Sequence, residues 1–461
     1  MAVTKLFIAN RGEIAVRIIR AARELGIATV QAASAADRDM LAARLADKVV
    51  EIGPAQAAKS YLDPDALMHA ALAAGADAVH PGYGFLAENA DFAAAVERAG
   101  LIFVGPRPET IRLMGDKARA RDAAAAAGVP TVPGSEGRIA EWATLGARAH
   151  AIGFPVMIKA AAGGGGRGIR VAADAEALDR LVTQARAEAR AAFGDDGIYL
   201  ERFLPRARHV EVQVLGDGQR VIHLFERECS VQRRRQKIWE EAPAATLSAA
   251  ARNDLCASAV RLAEAVGYRG AGTLEYLFDE ATGAFYFIEM NTRIQVEHPV
   301  TEMVTGIDLV REMLRIAGGA PLGLAQGDIA LRGHAIECRI NAEDPENDFR
   351  PAPGKVHSLA VPGGPGVRFD SMLYAGYTVP PFYDSLLAKL IVWDETRPMA
   401  LARLRRALAE LEVGGIPTTI PLHRRLAGHP DIARNVVHTG WLEAWLDEHP
   451  FANADAKAAR A

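Results

Sequence analysis

Cysteine is scarce in this chain of 461 residues: Cys229, Cys256 and Cys338 are the only three, and they lie far apart. A disulfide scaffold is therefore excluded, and no CxxC spacing offers a zinc site. No apolar run approaches the ~20 residues that a membrane-spanning helix needs. Residues Met1 to Lys5 lead directly into Leu6-Phe7-Ile8-Ala9 without a secretory pattern. Neither sign of charge dominates: 53 Lys and Arg against 57 Asp and Glu leave a net charge of −4. No overall field thus draws in nucleic acid or an anionic membrane, and neither is expected as a partner. There is no internal repeat and no GxxxxGK[ST] phosphate loop. What is present is 50% hydrophobic and 24% charged residue content, the mix of a globular protein with two to four domains. The expectation is a reduced, cytoplasmic, multidomain α/β protein.

The first hundred residues alternate short apolar runs with helical patterns. Leu6–Ala9, Ala28–Ala32, Ala78–His80 and Ile102–Val104 read as strands. Glu13–Leu25, a segment opened by Asp63-Pro64, and Asp91–Arg98 read as helices. This alternation predicts a doubly wound parallel sheet. From Lys117 the pattern changes to mixed α+β, with strands expected at Pro155–Lys159, Gly168–Val171, Ile198–Phe203, His209–Leu215 and Val221–Glu226. A Gly/Pro-rich stretch at 318–327 marks a third change, followed by strands at Gly333–Ile340 and Lys389–Val392 and a helix at Met399–Leu411. The last dozen residues carry no core and are expected to be mobile.

Three segments carry chemistry. Lys159-Ala-Ala-Ala-Gly163-Gly-Gly-Gly-Arg167-Gly168 formally contains GxGxxG, but it leads into a strand where the dinucleotide fingerprint needs a helix. A surface turn is the plain alternative. The flanking Lys159, Arg167 and Arg170 favour a flexible phosphate lid. The second is Phe287 to His298. If extended, it puts Glu289, Asn291, Arg293, Gln295 and Glu297 on one face. A hairpin with Thr273–Phe278 across the turn 279–283 brings Glu275 towards Glu289 and Asn291. Carboxylates so gathered repel unless a cation sits between them, and oxygen-only ligands indicate Mg²⁺ or Mn²⁺. The third is the basic run Gln232-Arg-Arg-Arg-Gln-Lys237; lacking interleaved aromatics, it fits polyphosphate better than nucleic acid. His80-Pro-Gly-Tyr-Gly-Phe85 follows a strand, where open α/β sheets bind ligands, but packing explains it equally well. Tyr383 and Asp384 read as structural.

These segments, with Ile8-Ala-Asn-Arg-Gly-Glu-Ile14, His80–Leu86, Arg112-Leu-Met-Gly-Asp-Lys117, Glu289–Pro299 and Glu337-Cys-Arg-Ile-Asn-Ala-Glu-Asp344, resemble biotin carboxylase over residues 3 to 445. The resemblance implies an N-terminal doubly wound parallel-sheet domain (1–115), an ATP-grasp domain (116–318) with a glycine-rich lid at about 131–204, and a C-terminal mixed α+β domain (330–446), followed by a tail (447–461). It implies ATP contacts at Lys117, Lys159, Gly165, Gly166, Glu201, Arg202, Phe203, Leu204, His209, Gln232, Arg235, Leu277, Glu275 and Glu289. Glu275, Glu289 and Asn291 match the ligands of two Mg²⁺ or Mn²⁺ ions. Lys237, Arg293, Gln295 and the backbone of Val296 match the bicarbonate positions, Glu297 the general base, and Arg339 the residue that holds the biotin enolate.

The implied activity is ATP- and bicarbonate-dependent carboxylation of biotin through carboxyphosphate, the first half-reaction of acetyl-CoA carboxylase, in fatty acid biosynthesis, or of another acyl-CoA carboxylase. No Met-Lys-Met biotinylation motif occurs, so biotin is expected on a separate biotin carboxyl carrier protein, with carboxyltransferase subunits as further partners. A homodimer is expected, with Arg17 and Arg20 on the helix resembling the dimer-forming one. Ala162, Ile169, Arg202 and Arg235 depart from the family pattern; Arg235 is nonetheless expected to face the nucleotide. The alternatives are an ATP-grasp ligase for another carboxylate and a nucleotide-binding paralogue without turnover.

Overall fold

The structure, a computed structural model, describes residues 2–135, 139, 144–160, 170–193 and 196–451. The glycine run, with the expected contacts Gly165 and Gly166, and the end of the expected tail lie outside the described residues. No helix among those described is long and apolar enough to cross a membrane.

Strands β1 (Lys5–Ile8), β2 (Ala28–Ala33), β3 (Lys48–Glu51), β4 (Ala78–His80) and β5 (Ile102–Phe103) form one parallel sheet in the order β3-β2-β1-β4-β5. The sequence pattern finds four of these. It misses β3, a short edge strand of Lys48, Val49, Val50 and Glu51 that is mostly exposed and so shows no apolar signature. The helix Pro64–Ala73 begins as expected: the Asp63 side chain accepts from the amides of Asp65 and Ala66, and Pro64 occupies the first turn. The direction of winding reverses between β1 and β4. At that switch point the Asn10 amide donates to the Pro81 and Tyr83 carbonyls at 2.6 and 2.7 Å, tying the two loops together. Gly82 permits this close approach, because a Cβ there would stand 2.8 Å from Asn10 Nδ2.

A small antiparallel sheet follows, from β6 (Val156–Ala160), β7 (Arg170–Ala172) and β8 (Ile198–Arg202), in the order β7-β6-β8. With the helices Leu145–Ile152 and Ala175–Phe193 it encloses a core of its own that includes Ile158, Leu178, Val182 and Leu200. The largest element is one antiparallel sheet of eight strands: β9 (Arg208–Asp217), β10 (Val221–Arg233), β11 (Gln236–Ala242), β12 (Arg269–Asp279), β13 (Ala284–Asn291), β14 (His334–Asn341), β15 (Val367–Ser371) and β16 (Leu386–Asp394). Their order is β13-β12-β9-β10-β11-β14-β16-β15. The Gly/Pro-rich stretch at 318–327 is thus a boundary in the chain and not in the sheet, since β11 pairs with β14 through Trp239 opposite Cys338 and Glu240 opposite Glu337.

Strand β12 runs through the middle of a densely packed layer, and Gly272 marks where that layer admits no side chain. A Cβ there would meet the buried Tyr268 ring at 2.3 to 2.6 Å. Gly272→Ala is therefore expected to lower stability by ~1–3 kcal/mol through overpacking. Urea unfolding checks this: the midpoint should fall at constant slope, and an unchanged midpoint would show that Tyr268 has room to move.

Candidate functional site

Antiparallel pairing of β12 with β13 sets Glu275 directly opposite Glu289 and Thr273 opposite Asn291, so the three proposed oxygen donors share one sheet face. On the other face Leu274 and Met290 enter the core. A bulge beyond Glu275 pairs Tyr276 with Phe287, and both rings pack into that core in an edge-to-face contact. Glu275 is buried while Glu289 is half-exposed, 3.7 Å from the ammonium of Lys117. Lys117 itself is fixed at the start of the helix Lys117–Ala126, whose first turn is capped by Asp116. Two carboxylates and an amide on one face have the hard-donor chemistry that suits a divalent cation, although here the Asn291 amide turns its nitrogen to Glu275 Oε1 at 2.8 Å and its oxygen to Arg293.

Beside this hairpin, β11 projects Lys237 into a ring of acids. Its ammonium donates to Glu211 Oε2 at 2.5 Å, Glu275 Oε1 at 2.7 Å and Glu297 Oε1 at 2.8 Å. Burial works against the charge on Lys237, but the three carboxylates outweigh it and raise the ammonium well above its usual range. The same contact works in reverse on Glu275: burial alone would push its carboxyl up, yet Lys237 and His209 hold it well below the carboxylate range. His209 Nε2 stands 3.0 Å from Glu275 Oε2. Glu297 is likewise lowered against its burial, by Lys237 and Arg339 and despite repulsion from Glu211. Its second oxygen accepts from Arg339 Nη2 at 2.9 Å, and Arg339 Nε donates to Glu240 at 2.6 Å. Burial pushes the Glu240 carboxyl up to about 7, which leaves Glu297 the stronger anion of the two beside Arg339.

Beyond Asn291 the chain is not a strand. It loops through 292–297 and enters the helix His298–Thr305. The extended alternation expected for Arg293, Gln295 and Glu297 is therefore corrected: specific contacts aim these side chains instead. Arg293 Nε donates to Glu88 Oε2 at 2.8 Å and Nη2 to Asn291 Oδ1 at 2.9 Å. Gln295 Nε2 donates to Glu275 Oε1 at 2.8 Å. The fully buried Lys389 donates to the Val296 carbonyl at 2.8 Å and lies 3.1 Å from Glu13, which accepts from Tyr83 Oη at 2.5 Å.

Most of the predicted site residues among these line one cavity of ≈ 540 Å³, with Glu88, Glu211, Glu240 and Lys389 behind its wall. His209, Arg235, Lys237, Glu275, Glu289, Asn291, Arg293, Gln295, Val296, Glu297 and Arg339 all border it, as do Asn10, Arg11, Tyr83 and Phe85 from the switch point of the parallel sheet. Arg235 reaches it from a two-residue hairpin turn in which Arg234 and Arg235 adopt φ of +48° and +65°, a conformation that favours glycine or asparagine. Tyr383 both lines the cavity and packs structurally, its hydroxyl bonded to the Ala55 carbonyl and Ser34. Lys117, Lys159, Glu201, Arg202, Phe203, Leu204, Gln232 and Leu277 do not border the cavity. Lys159 pairs with Glu201 across β6 and β8, and Gln232 Nε2 lies 3.0 Å from His209 Nδ1. Sequence reasoning missed Glu88, Glu211, Arg227, Glu240 and Lys389. Glu211, Arg227, Glu240 and Lys389 are charged residues set inside strands, and that interruption of apolar runs was the available signal.

Three family models together match most of the chain: "Biotin carboxylase, N-terminal domain" over residues 2–111, "Carbamoyl-phosphate synthase L chain, ATP binding domain" over 116–325, and "Biotin carboxylase C-terminal domain" over 337–444. The biotin carboxylase of Pseudomonas aeruginosa is 56% identical over 449 residues, spanning 96% of this chain and 99% of that one. A crystal structure of the Campylobacter jejuni biotin carboxylase in a βγ-ATP complex superposes with a TM-score of 0.89 at 45% identity, covering 96% of this chain and 99% of that one. The biotin carboxylase domain dimer of Hydrogenobacter thermophilus 2-oxoglutarate carboxylase, solved with MgADP, ADP and bicarbonate, gives 0.89 at 45% identity over 98% of this chain and 100% of that one.

Replacing Lys237 tests the charge balance. A carboxylate held below its ordinary value near 4.5 stabilises the fold above that pH, and the stability is lost as pH falls through the lowered value. Without the ammonium, burial pushes the same carboxyls up, so their contribution is present below about pH 4.5 and lost as pH rises. Lys237→Met is expected to be ~3–5 kcal/mol less stable than the parent at pH 7. The deficit should narrow as pH is lowered to 5. Denaturant unfolding at both values, without divalent cations, checks this; a constant deficit would mean the acids are compensated by other groups.

Proposed function

The chain belongs to the biotin carboxylase family, and from that premise we propose that it carboxylates biotin on a separate carrier protein at the expense of ATP and bicarbonate. The observation that carries this reading is the convergence of Lys237, Arg293, Gln295, Glu297 and Arg339 on one cavity beside the oxygen donors of β12 and β13. A ligase for another carboxylate, or a nucleotide-binding protein without turnover, gains no support from that set.

Bicarbonate is an anion and a poor nucleophile. The guanidinium of Arg293, oriented by Glu88, the ammonium of Lys237, an N–H of Gln295 and the backbone of Val296 form its binding site. Glu297 removes its proton as its oxygen attacks the γ-phosphorus; the O–P bond forms, the bond to the β-phosphate oxygen breaks, and ADP leaves with carboxyphosphate remaining. Lys237 and Arg339 keep Glu297 ionised for this step, each bonded to one of its oxygens. Glu275, Glu289 and Asn291 would hold magnesium or manganese, which when bound would neutralise negative charge on the transferring phosphoryl group. Carboxyphosphate decays to CO₂ and phosphate, which can take the ureido proton of biotin. Arg339, permanently charged and fixed by Glu240, holds the resulting oxyanion while the ureido nitrogen bonds to CO₂. Lys117, Lys159, Glu201, Arg202, Phe203, Leu204, His209, Gln232, Arg235 and Leu277, with Gly165 and Gly166, form the ATP site, and closure of the 131–204 segment excludes water.

Biotin arrives on a biotin carboxyl carrier protein, and carboxyltransferase subunits pass the carboxyl group to acetyl-CoA or another acyl-CoA. A homodimer through the helix Gly12–Glu24 leaves the exposed Arg20 available to a partner, but Arg17 is turned inward, bonded to Glu302 and Asp308.

Glu297→Gln should retain nucleotide binding and lose bicarbonate-dependent ATP cleavage by ~10²–10⁴-fold, the usual weight of a general base. Near-parental turnover would remove Glu297 from the proton transfer. Arg339→Ala removes the partner of the biotin oxyanion but no group on ATP. It should depress carboxylation of free biotin more than bicarbonate-dependent ATP cleavage measured without biotin, because Lys237 still holds Glu297 ionised; equal loss of both would make support of Glu297 the main role of Arg339.

A further inference from the structure

Arg227, in the middle of β10, is fully buried, and its guanidinium has an acceptor for every one of its five N–H groups. Nε donates to Glu211 Oε1 at 2.6 Å; Nη1 donates to Gln213 Oε1 at 2.7 Å and Thr301 Oγ1 at 3.0 Å; Nη2 donates to Thr273 Oγ1 at 3.1 Å and Gln295 Oε1 at 2.8 Å. A guanidinium has no acceptor. Whichever end of the Gln295 amide faces it must therefore be the oxygen, a choice that X–H geometry at Gln295 alone would leave open. The amide nitrogen is then forced to the opposite side, where one N–H reaches Glu275 Oε1 at 2.8 Å and the other remains for the cavity that Gln295 lines. With the amide reversed, two N–H groups would point at a cation. A carbonyl oxygen would then face both the Glu275 carboxylate and any anion in the cavity. Gln213 is locked in the same sense, because its own nitrogen donates to the Val214 and Gly272 carbonyls.

We infer that Arg227 is a positioning residue for bicarbonate: it fixes the orientation of the Gln295 amide so that this side chain offers the cavity a donor and not an acceptor. The inference rests on the reading of Gln295 as a bicarbonate contact. Thr301 lies on the helix that begins just after Glu297, and its hydroxyl helps to fix the guanidinium in the plane that meets Gln295. A second role for Arg227, neutralising Glu211, needs only positive charge. Lysine would supply that charge but has three donors on a flexible stem in place of a planar fork.

Arg227→Lys separates the two roles. It should raise the KM for bicarbonate by ~10-fold or more while changing the KM for ATP by less than ~3-fold, and in a Gln295→Ala background it should change the bicarbonate KM no further, as expected when one residue acts through the other. Full additivity of the two substitutions, or parallel changes in both KM values, would overturn the inference and leave Arg227 as a structural cation. If Gln295→Ala alone leaves the bicarbonate KM unchanged, it is the reading of Gln295 that fails. Should Arg227→Lys not fold, Thr301→Val takes away one acceptor of Nη1 and loosens the guanidinium without deleting it. A rise of ~3-fold in the bicarbonate KM, erased when Gln295 is alanine, then supports the inference, and no rise overturns it.

Discussion

One ammonium held by three carboxylates organises this site. Lys237 takes Glu211 from β9, Glu275 from β12 and Glu297 from the turn before the helix His298–Thr305. Any of those acids buried alone would be driven to its neutral form, and an uncompensated cation in their midst would be equally unfavourable. The register of four neighbouring strands is thereby coupled to the charge balance. A one-residue slip of β11 would turn Lys237 to the opposite face and leave the acids without their partner.

Around that centre, cations and acids alternate outward through the three parts of the chain. Arg293 is aimed by Glu88 from the parallel-sheet region, Val296 is held by Lys389 from β16, and Lys389 meets Glu13 at the start of the first helix. Arg11, paired with Asp37, lies 4.2 Å over the ring of Tyr383, fastening the switch point of the parallel sheet to the segment before β16. The cavity is therefore walled by loops from a parallel sheet and floored by an antiparallel one. Its shape follows from charge pairs across the seams as much as from apolar packing.

How much of this was legible in the sequence differs by residue. Glu275, Glu289 and Asn291 could be placed together because a short turn at 279–283 joins two strands of clear apolar character, and antiparallel pairing does the rest. Arg293, Gln295 and Glu297 were found by a period-two pattern that the fold does not use; tertiary contacts to Glu88, Arg227 and Lys237 put them in place. The expected strand at Val221–Glu226 stops short of the observed end at Arg233: Arg227, Glu228, Ser230 and Gln232 carry no apolar signature, although all four are buried. Local polarity cannot reveal a partner two hundred residues away: Glu88 and Arg293 are 205 positions apart, and Arg17 and Glu302 are 285. For the same reason Arg17, which reads as a surface residue of an amphipathic helix, is an internal one.

The pairing of β11 with β14 bears on how the chain can be divided. The sequence changes character at 318–327, and a designer of truncations would cut there. Such a cut separates β11 from β14, β16 and β15, which share one hydrogen-bonded sheet with it. Each fragment would then present a raw edge whose amides and carbonyls have lost their neighbours, next to a core that loses Ile336, Leu390 and Leu404 from beside Trp239. Unpaired edges of that length are templates for self-association. The C-terminal third thus completes the sheet that floors the cavity, contributing three of its eight strands, and the two parts are expected to fold as one piece.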